Sequence, residues 1–183
     1  MGAPRHFSDI DTLVIHCSAT PNGRAHTIED IDRWHGERGW RRDLSLAPKW
    51  QPQLKHVGYH FVVELDGSLR AGRPFHETGA HAFGHNLNSI GICMIGTDQY
   101  SPAQWATLYA VVQLLTHPNN HLNGLQITQV VGHRDLSPDT NGDGEIQPFE
   151  WLKTCPGFSV SDWLTSGGVP AHANILEDAP CLH

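Results

Sequence analysis

The sequence predicts an α/β fold, a single domain in which a central mixed β-sheet is flanked by helices. The chain has 183 residues, the usual size of one domain. Hydrophobic residues make up 39% of it and charged residues 17%, as in ordinary globular proteins. Short apolar runs typical of strands alternate with segments of helical periodicity, which favours a sheet covered by helices.

Each predicted element rests on a local signal. Apolar runs predict strands at 12–17, 57–65, 68–72, 90–95 and 126–131, with Asp66-Gly67 as a hairpin turn. Thr27 is a candidate cap for a helix that reaches about Gly39, and the capping pattern at 101–104 begins a helix that ends before Pro118. A short helix is expected at 161–165. Residues 41–56, 74–89 and 132–151 are predicted loops, and the chain from 167 is a predicted loose tail.

Charge and composition exclude several classes of partner. The formal net charge is −7 and no Lys/Arg-rich run is present, so we expect no nucleic-acid binding and no adhesion to membranes. The first ten residues lack the apolar run of a signal peptide, and no segment has the roughly 20 apolar residues of a membrane helix. We therefore expect a monomer made in the cytoplasm.

Three residues are candidate ligands of a catalytic zinc ion: His16, His133 and Cys155. Each histidine lies where a predicted strand gives way to a loop, a position at which a rigid sheet can hold ligands in one cleft. Two imidazoles and a thiolate would leave a fourth zinc position for water. The alternative is a core histidine, a surface histidine and a buried thiol, and the spacing alone does not decide between the two.

Eight short motifs in order along residues 10–165 carry a resemblance to a known family. They are HCSAT at 16–20, WH with GW at 34–35 and 39–40, VGYHF at 57–61, AGR at 71–73, GAHA at 79–82, NSIG at 88–91, GH at 132–133 and KTCP at 153–156. Together they resemble the type-2 N-acetylmuramoyl-L-alanine amidases. The similarity is greatest to the amidase-type phage lysozymes, which are related in fold to peptidoglycan recognition proteins.

The resemblance implies a role for each matching residue. In that family the zinc ligands fall on His16, His133 and Cys155, and the catalytic tyrosine and lysine fall on Tyr59 and Lys153. The cysteine at the third ligand position favours the phage-lysozyme branch, because the cytosolic recycling branch uses aspartate there. In an extended segment, residues 153 and 155 would face the same side, toward the metal cleft.

Two further residues are expected near the substrate. His81 lies in the GAHA motif, which lines the cleft in the family, and Asn88 opens the NSIG motif. The resemblance therefore implies a substrate contact for His81, whereas Asn88 can either bind substrate or shape the loop.

The implied reaction is cleavage of the amide between N-acetylmuramic acid and the L-alanine of the stem peptide in peptidoglycan. Zinc lowers the pKa of its bound water toward about 7, and zinc with Lys153 can stabilise the charge that develops on the amide oxygen. The expected role is that of a phage endolysin, which waits in the host cytoplasm before it reaches the cell wall. Two alternatives stay open, a cytosolic amidase that recycles wall fragments and a module that binds peptidoglycan without cutting it.

A second metal site is predicted by a motif that the amidase resemblance does not include. Residues 139–150 read DTNGDGEIQPFE, which fits the loop of a calcium-binding EF-hand. The predicted oxygen donors are the side chains of Asp139, Asn141, Asp143 and Glu150 and the carbonyl of Glu145. Prolines 138 and 148 argue against a full helix–loop–helix, and an acidic turn without an ion is the alternative. The predicted organisation is thus a zinc amidase domain over 1–166, containing this loop, and a tail over 167–183.

Overall fold

The computed structural model describes residues 5–43, 50–119, 122 and 124–177. Over these residues the chain forms one mixed five-stranded sheet with helices on both faces. The strands are β1 (Thr12–Cys17), β2 (Phe61–Val63), β3 (Leu69–Ala71), β4 (Ser89–Met94) and β5 (Gln129–Gly132). The α-helices are α1 (Ile28–Glu37), α2 (Pro102–Thr116) and α3 (Val160–Thr165). None of the helices within these residues is long and apolar enough to cross a membrane.

The sheet has the strand order β3-β2-β4-β1-β5. Strand β1 is parallel to both β4 and β5, β2 is parallel to β4, and only β3 pairs antiparallel, across the hairpin that Asp66-Gly67 closes. The carboxyl ends of four strands therefore meet at one edge of the sheet. This mixed sheet confirms the predicted fold class.

Two apolar layers form because successive residues of a strand point to opposite faces. Leu13 and Ile15 of β1 pack with helices α2 and α3 in the larger core, which contains Trp105 and Trp163. Val62 of β2 packs on the other face in a smaller core with helix α1. Helix α1 lies on this second face, the one toward which His16 points by alternation with Ile15.

The helix starts agree with the predicted capping signals. The Thr27 side chain accepts a hydrogen bond from the Asp30 amide at α1, and the Ser101 side chain accepts one from the Gln104 amide at α2. Each side chain satisfies an amide that the first helical turn leaves without a partner.

Two strands are shorter than the sequence predicts. Residues 57–60 were expected to continue β2, but the carbonyl of Gly58 accepts from Ala80 and that of Tyr59 from Arg73, both in the following loop, and only the amide of His60 still donates to β4, at Gly91. Strand β5 begins only at Gln129. Period-2 alternation marks apolar residues but does not show which of them find a strand partner.

The segment after residue 167 differs from the predicted loose tail. Residues 167–177 pack against the domain, and Ile175 forms a parallel bridge with Tyr100. The carbonyl of Asn174 accepts hydrogen bonds from the Tyr100 amide and the Trp105 indole. Few apolar residues mark this attachment in the sequence, because backbone groups make most of it. Residues 178–183 of the predicted tail lie outside the described residues.

Candidate active site and metal centre

Two neighbouring parallel strands bring the candidate histidines together. Strand β1 pairs with β5 in a register that places Ile15 beside Gly132. His16 follows Ile15 in the chain, and His133 follows Gly132. Both rings therefore emerge at the same edge of the sheet. Their ring centroids are 4.5 Å apart.

Cys155 reaches the same point from the segment that follows the long loop. Its Sγ lies 3.8 Å from Nδ1 of His16 and accepts a hydrogen bond from the amide N–H of Cys17 at 3.1 Å. The carbonyl of Cys155 accepts from the amide of Arg134 at 2.8 Å. These backbone contacts fasten the cysteine to both strand ends that carry the histidines.

The three side chains have the donors and spacing of a zinc site. One ligand atom from each of His16, His133 and Cys155 lies within 4.8 Å of the other two, and in the described part of the chain no other group of three His, Cys, Asp or Glu does so. In tetrahedral zinc with bonds of about 2.0–2.3 Å, ligand atoms are about 3.5 Å apart. The site therefore needs only small side-chain adjustments to bind an ion with these three ligands.

The histidines are held in the form that binds metals. Burial, together with neighbouring His81 and His133, lowers the pKa of His16 well below its usual value. Burial and the charge of Lys153 lower the pKa of His133 to about 4. Both rings are therefore neutral at pH 7, with a lone pair available to a cation.

A cleft with two adjoining cavities opens over these ligands. The smaller has a volume of about 390 Å³ and contains all three candidate ligands in its wall. The larger has a volume of about 880 Å³ and extends along the predicted loops, past Phe83 and Leu152. Trp40 and Lys153 line both cavities, so a long substrate could pass from one to the other over the metal position.

Tyr59 and Lys153 both lie in the wall of the smaller cavity, which also contains the metal position. The ring centroid of Tyr59 is 5.1 Å from that of His16, and both residues line the smaller cavity. Burial raises the pKa of Tyr59 well above its usual value, so its hydroxyl keeps its proton and can donate a hydrogen bond. Lys153 is exposed to the cleft and can bring its positive charge to a bound substrate.

The two predicted substrate residues have different positions. His81 lines both cavities but is only 7% exposed, and its Nδ1 lies 3.0 Å from Nε2 of His16. Asn88 lines neither cavity; its side chain donates to Asp11, just before β1 begins. The ligand His16 lies at the other end of that strand. Asn88 is therefore not among the residues that line the two cavities, and its side chain connects the loop to the start of β1.

The acidic loop at 139–150 forms a closed turn in which side-chain oxygens bond to amides of the same loop. The carboxylate of Glu150 accepts from the amides of Thr140, Asn141 and Gln147, and that of Asp139 accepts from Gly142 and Gly144. The loop ends in a short 3-10 turn, Pro148–Glu150, and not in an α-helix, in agreement with the absence of a full helix–loop–helix. Among the described residues these carboxylates do not converge as the zinc candidates do.

One further histidine, His35, lies in the cleft although the sequence motifs did not mark it as a site residue. The side chain is 5% exposed, its Nδ1 accepts a hydrogen bond from the Gly58 amide, and it lines the smaller cavity beside Trp40. Its spacing from Ile28 and Ile31 places it on the buried face of α1, a signal the sequence did contain.

Comparisons with known proteins agree with this architecture. The model of the N-acetylmuramoyl-L-alanine amidase family matches residues 6–158. The endolysin of Escherichia phage T7 is 29% identical over 161 residues, which cover 84% of each chain.

Two solved structures share the fold. The N-acetylmuramoyl-L-alanine amidase LysC from Clostridium intestinale has a TM-score of 0.61 at 24% identity, covering 90% of this chain and 89% of that one. PGRP-SA of the bumblebee has a TM-score of 0.60 at 19% identity, covering 89% of this chain and 84% of that one.

The chain therefore has the α/β fold that these amidase and peptidoglycan recognition protein structures share. The chain belongs to the N-acetylmuramoyl-L-alanine amidase family. The family resemblance predicted from the eight motifs is confirmed.

Proposed function

We propose that this protein is a zinc-dependent endolysin that hydrolyses the amide between N-acetylmuramic acid and L-alanine in peptidoglycan. The observation that carries the proposal is the convergence of His16, His133 and Cys155 at the floor of an open cleft. The similarity of this protein to phage endolysins along 84% of the chain supports the lytic role. On this proposal the enzyme accumulates in the host cytoplasm before it reaches the wall.

The side chains around the metal position supply the remaining chemistry. Zinc, when bound, lowers the pKa of a coordinated water and polarises the substrate carbonyl. Lys153 stabilises the negative charge that develops on the amide oxygen, since this residue lines both cavities. Tyr59 keeps its hydroxyl proton and donates a hydrogen bond to the reacting centre. Lys153 and Tyr59 also orient the amide of the substrate, which a flexible peptide would otherwise present in many geometries.

The experiment measures metal content and cleavage together. Purified protein should contain about one zinc ion, and it should release new L-alanine amino termini from intact sacculi, detected by mass spectrometry. Cys155→Ala and His133→Ala should lose both zinc and cleavage. His172→Ala is the matched control, because that side chain is 87% exposed on the far segment at 172–174.

Each alternative gives a different result. Binding of sacculi with no cleavage by the wild type would indicate a recognition module. Cleavage of small muropeptides but not of sacculi would indicate a recycling enzyme. Full activity of Cys155→Ala after chelation would contradict the zinc mechanism.

Calcium binding at residues 139–150 is a separate proposal. The proposal is supported by the order of oxygen donors along the sequence. It is also supported by the closed shape of the loop, because the carboxylates of Asp139 and Glu150 face backbone amides in its interior. The loop lies between the 3-10 turn at His133–Leu136 and the segment that carries Cys155, so an ion there would stabilise the position of one zinc ligand. The role of the ion would be structural.

A further inference from the structure

A hydrogen bond joins the candidate zinc ligand His16 to a second buried histidine. Nε2 of His16 lies 3.0 Å from Nδ1 of His81. The other ring nitrogen of His16, Nδ1, lies 3.8 Å from Sγ of Cys155. His16 thus has one nitrogen on the metal side and one nitrogen held by His81.

The nitrogen of His16 that faces the metal position determines which ring nitrogens of His16 and His81 carry protons. A neutral imidazole carries one N–H, and a nitrogen that binds a metal must offer its lone pair. With Nδ1 of His16 toward the metal, its proton is on Nε2 and donates to Nδ1 of His81. His81 then carries its own proton on Nε2, and that buried atom has no hydrogen-bond partner in the part of the chain that the structure describes.

The His81 ring lies in a slot that leaves it little freedom. A Cβ added at Gly79 would lie 2.4 Å from Cδ2 of His81, and one added at Gly91 would lie 2.6 Å from the same atom. Asn86 fixes the backbone below the ring, because its Oδ1 accepts from the amides of His81 and Ala82. The slot holds the ring with Nδ1 toward His16, even though Nε2 is left without a partner.

We propose that His81 is a positioning residue for the zinc site. Its Nδ1 accepts the Nε2–H of His16, which fixes the tautomer and the ring plane of that ligand. The inference rests on the proposed zinc site and assigns His81 to the metal rather than to the substrate. Such supporting contacts are worth about 10- to 100-fold in metal affinity.

The test is the zinc dissociation constant, measured by competition with a chelating dye on protein stripped of metal. His81→Leu removes the acceptor and should weaken zinc binding about 10- to 100-fold. His81→Asn places a carbonyl oxygen near the position of Nδ1 and should bind zinc nearly as well as the wild type. His81→Gln extends its amide toward the position of Nε2 and should not restore binding. Cobalt(II) absorption should report a distorted site in the Leu and Gln variants alone.

His60→Leu is the matched control. His60 is 1% exposed and lies beside the same ring, with a centroid distance of 5.7 Å to His81, yet it is not hydrogen-bonded to a candidate ligand. It should lower the melting temperature while zinc affinity is retained. Should His81→Leu fail to fold, the Asn and Gln variants, which both keep a polar group, still decide the question.

Two results would overturn the inference. One is unchanged zinc affinity in His81→Leu; the other is an equal loss in His60→Leu or in His81→Asn, which would make the effect one of packing. A wild-type protein that binds no zinc would instead contradict the proposed function itself, so the two failures are distinguishable.

Discussion

At the scale of the residue, Lys153 and Tyr59 are expected to act in the reaction rather than in metal binding. Lys153→Met and Tyr59→Phe each remove one group that can contact the reacting amide. Loss of one such donor typically costs on the order of 100-fold or more in kcat. Cleavage rates on sacculi should fall accordingly, while zinc content by elemental analysis is unchanged. Lys55→Met, at an exposed position of the loop at 41–56, is the matched control, and loss of zinc in either variant would contradict these roles.

His35 makes the folded protein sensitive to acid. Burial, followed by the charges of Arg38 and Arg73, lowers the pKa of His35 to about 4. The unfolded value is about 6.5, so between these two values only the unfolded chain binds the proton. The free energy of unfolding therefore falls as the pH drops from about 6.5 toward that folded value.

The variant His35→Asn tests this dependence because it keeps an acceptor for the Gly58 amide and cannot titrate. It should reduce the pH slope of the free energy of unfolding by at most about 1.4 kcal/mol per pH unit. Urea unfolding of metal-free protein at several pH values measures the slope. The exposed His172→Asn should leave the slope unchanged, and an equal effect of the two substitutions would refute the assignment.

Single residues could be predicted where a motif carried them. The three candidate ligands were predicted by the motif match and converge in space. The His81–His16 contact could not be predicted, because it joins residues 65 positions apart through ring orientation. Asn88 is a residue for which the motif was not sufficient, because its position in the motif gave no information about the direction of its side chain.

At the scale of the element, a buried ion pair fixes residue 42 against residues 50–54 and the loop that carries Glu77. The side chain of Arg42 is fully buried and donates to Glu77 at 2.7 Å, and also to the carbonyls of Gln51 and Leu54. Arg42→Met should lower the free energy of unfolding by about 3–5 kcal/mol, because among the described residues it leaves the buried carboxylate with only its weaker ion pair to Arg73. Chemical denaturation measures the change.

The double variant Arg42→Met/Glu77→Met separates the charge from the packing. Replacement of both partners removes the uncompensated charge, so the double variant should be more stable than the single one. The recovery should be incomplete, since the backbone carbonyls of Trp50, Gln51 and Leu54 lose their donor. A double variant less stable than Arg42→Met would show that the charge is not the main cost.

The acidic loop at 139–150 should respond to calcium. Calcium at about 100 times its dissociation constant would stabilise the folded chain by about 2.7 kcal/mol. For a protein of this length that is a rise of about 5–10 °C in Tm. Calorimetry after chelation, with and without added calcium, measures it. Asp139→Asn should abolish the rise, Glu177→Gln should not, and an unchanged Tm in the wild type would remove the proposal.

Elements with strong local signals were predicted well. Helices α1 and α2 begin at the residues that their capping patterns indicate. Strand β2 is shorter than its apolar run, because hydrogen bonds from loop residues replace the ladder at Gly58 and Tyr59. Strand length depends on partners that are distant in the chain, whereas a helix cap depends on three or four neighbours.

At the scale of the whole molecule, the position of the site follows from the sheet topology. Strands β1 and β5 are parallel and adjacent, so the residues that follow Ile15 and Gly132 meet at one edge. Strand and loop patterns predicted both strands, but they did not determine that β1 lies between β4 and β5. The family motifs supplied this pairing indirectly, by marking His16 and His133 as partners.

The segment at 169–177 ties three distant parts of the molecule together. The Asn174 side chain donates to the carbonyls of Asp98 and Gly157, and its carbonyl accepts from Trp105. Gly157 lies two residues after the candidate ligand Cys155. The segment therefore supports the back of the metal site as well as the core around α2.

A chain that ends after Val169 should consequently be less stable and bind zinc less tightly. Asn174→Ala alone should lower the free energy of unfolding by about 1–3 kcal/mol, because it removes the donor to two carbonyls. The truncated chain should lose more than that, and its tryptophan fluorescence should shift to longer wavelength as Trp105, which is 4% exposed, gains contact with water. A chain that ends after Glu177 keeps every contact described for the segment. An equal loss of stability in the two shortened chains would show that these contacts do not stabilise the domain.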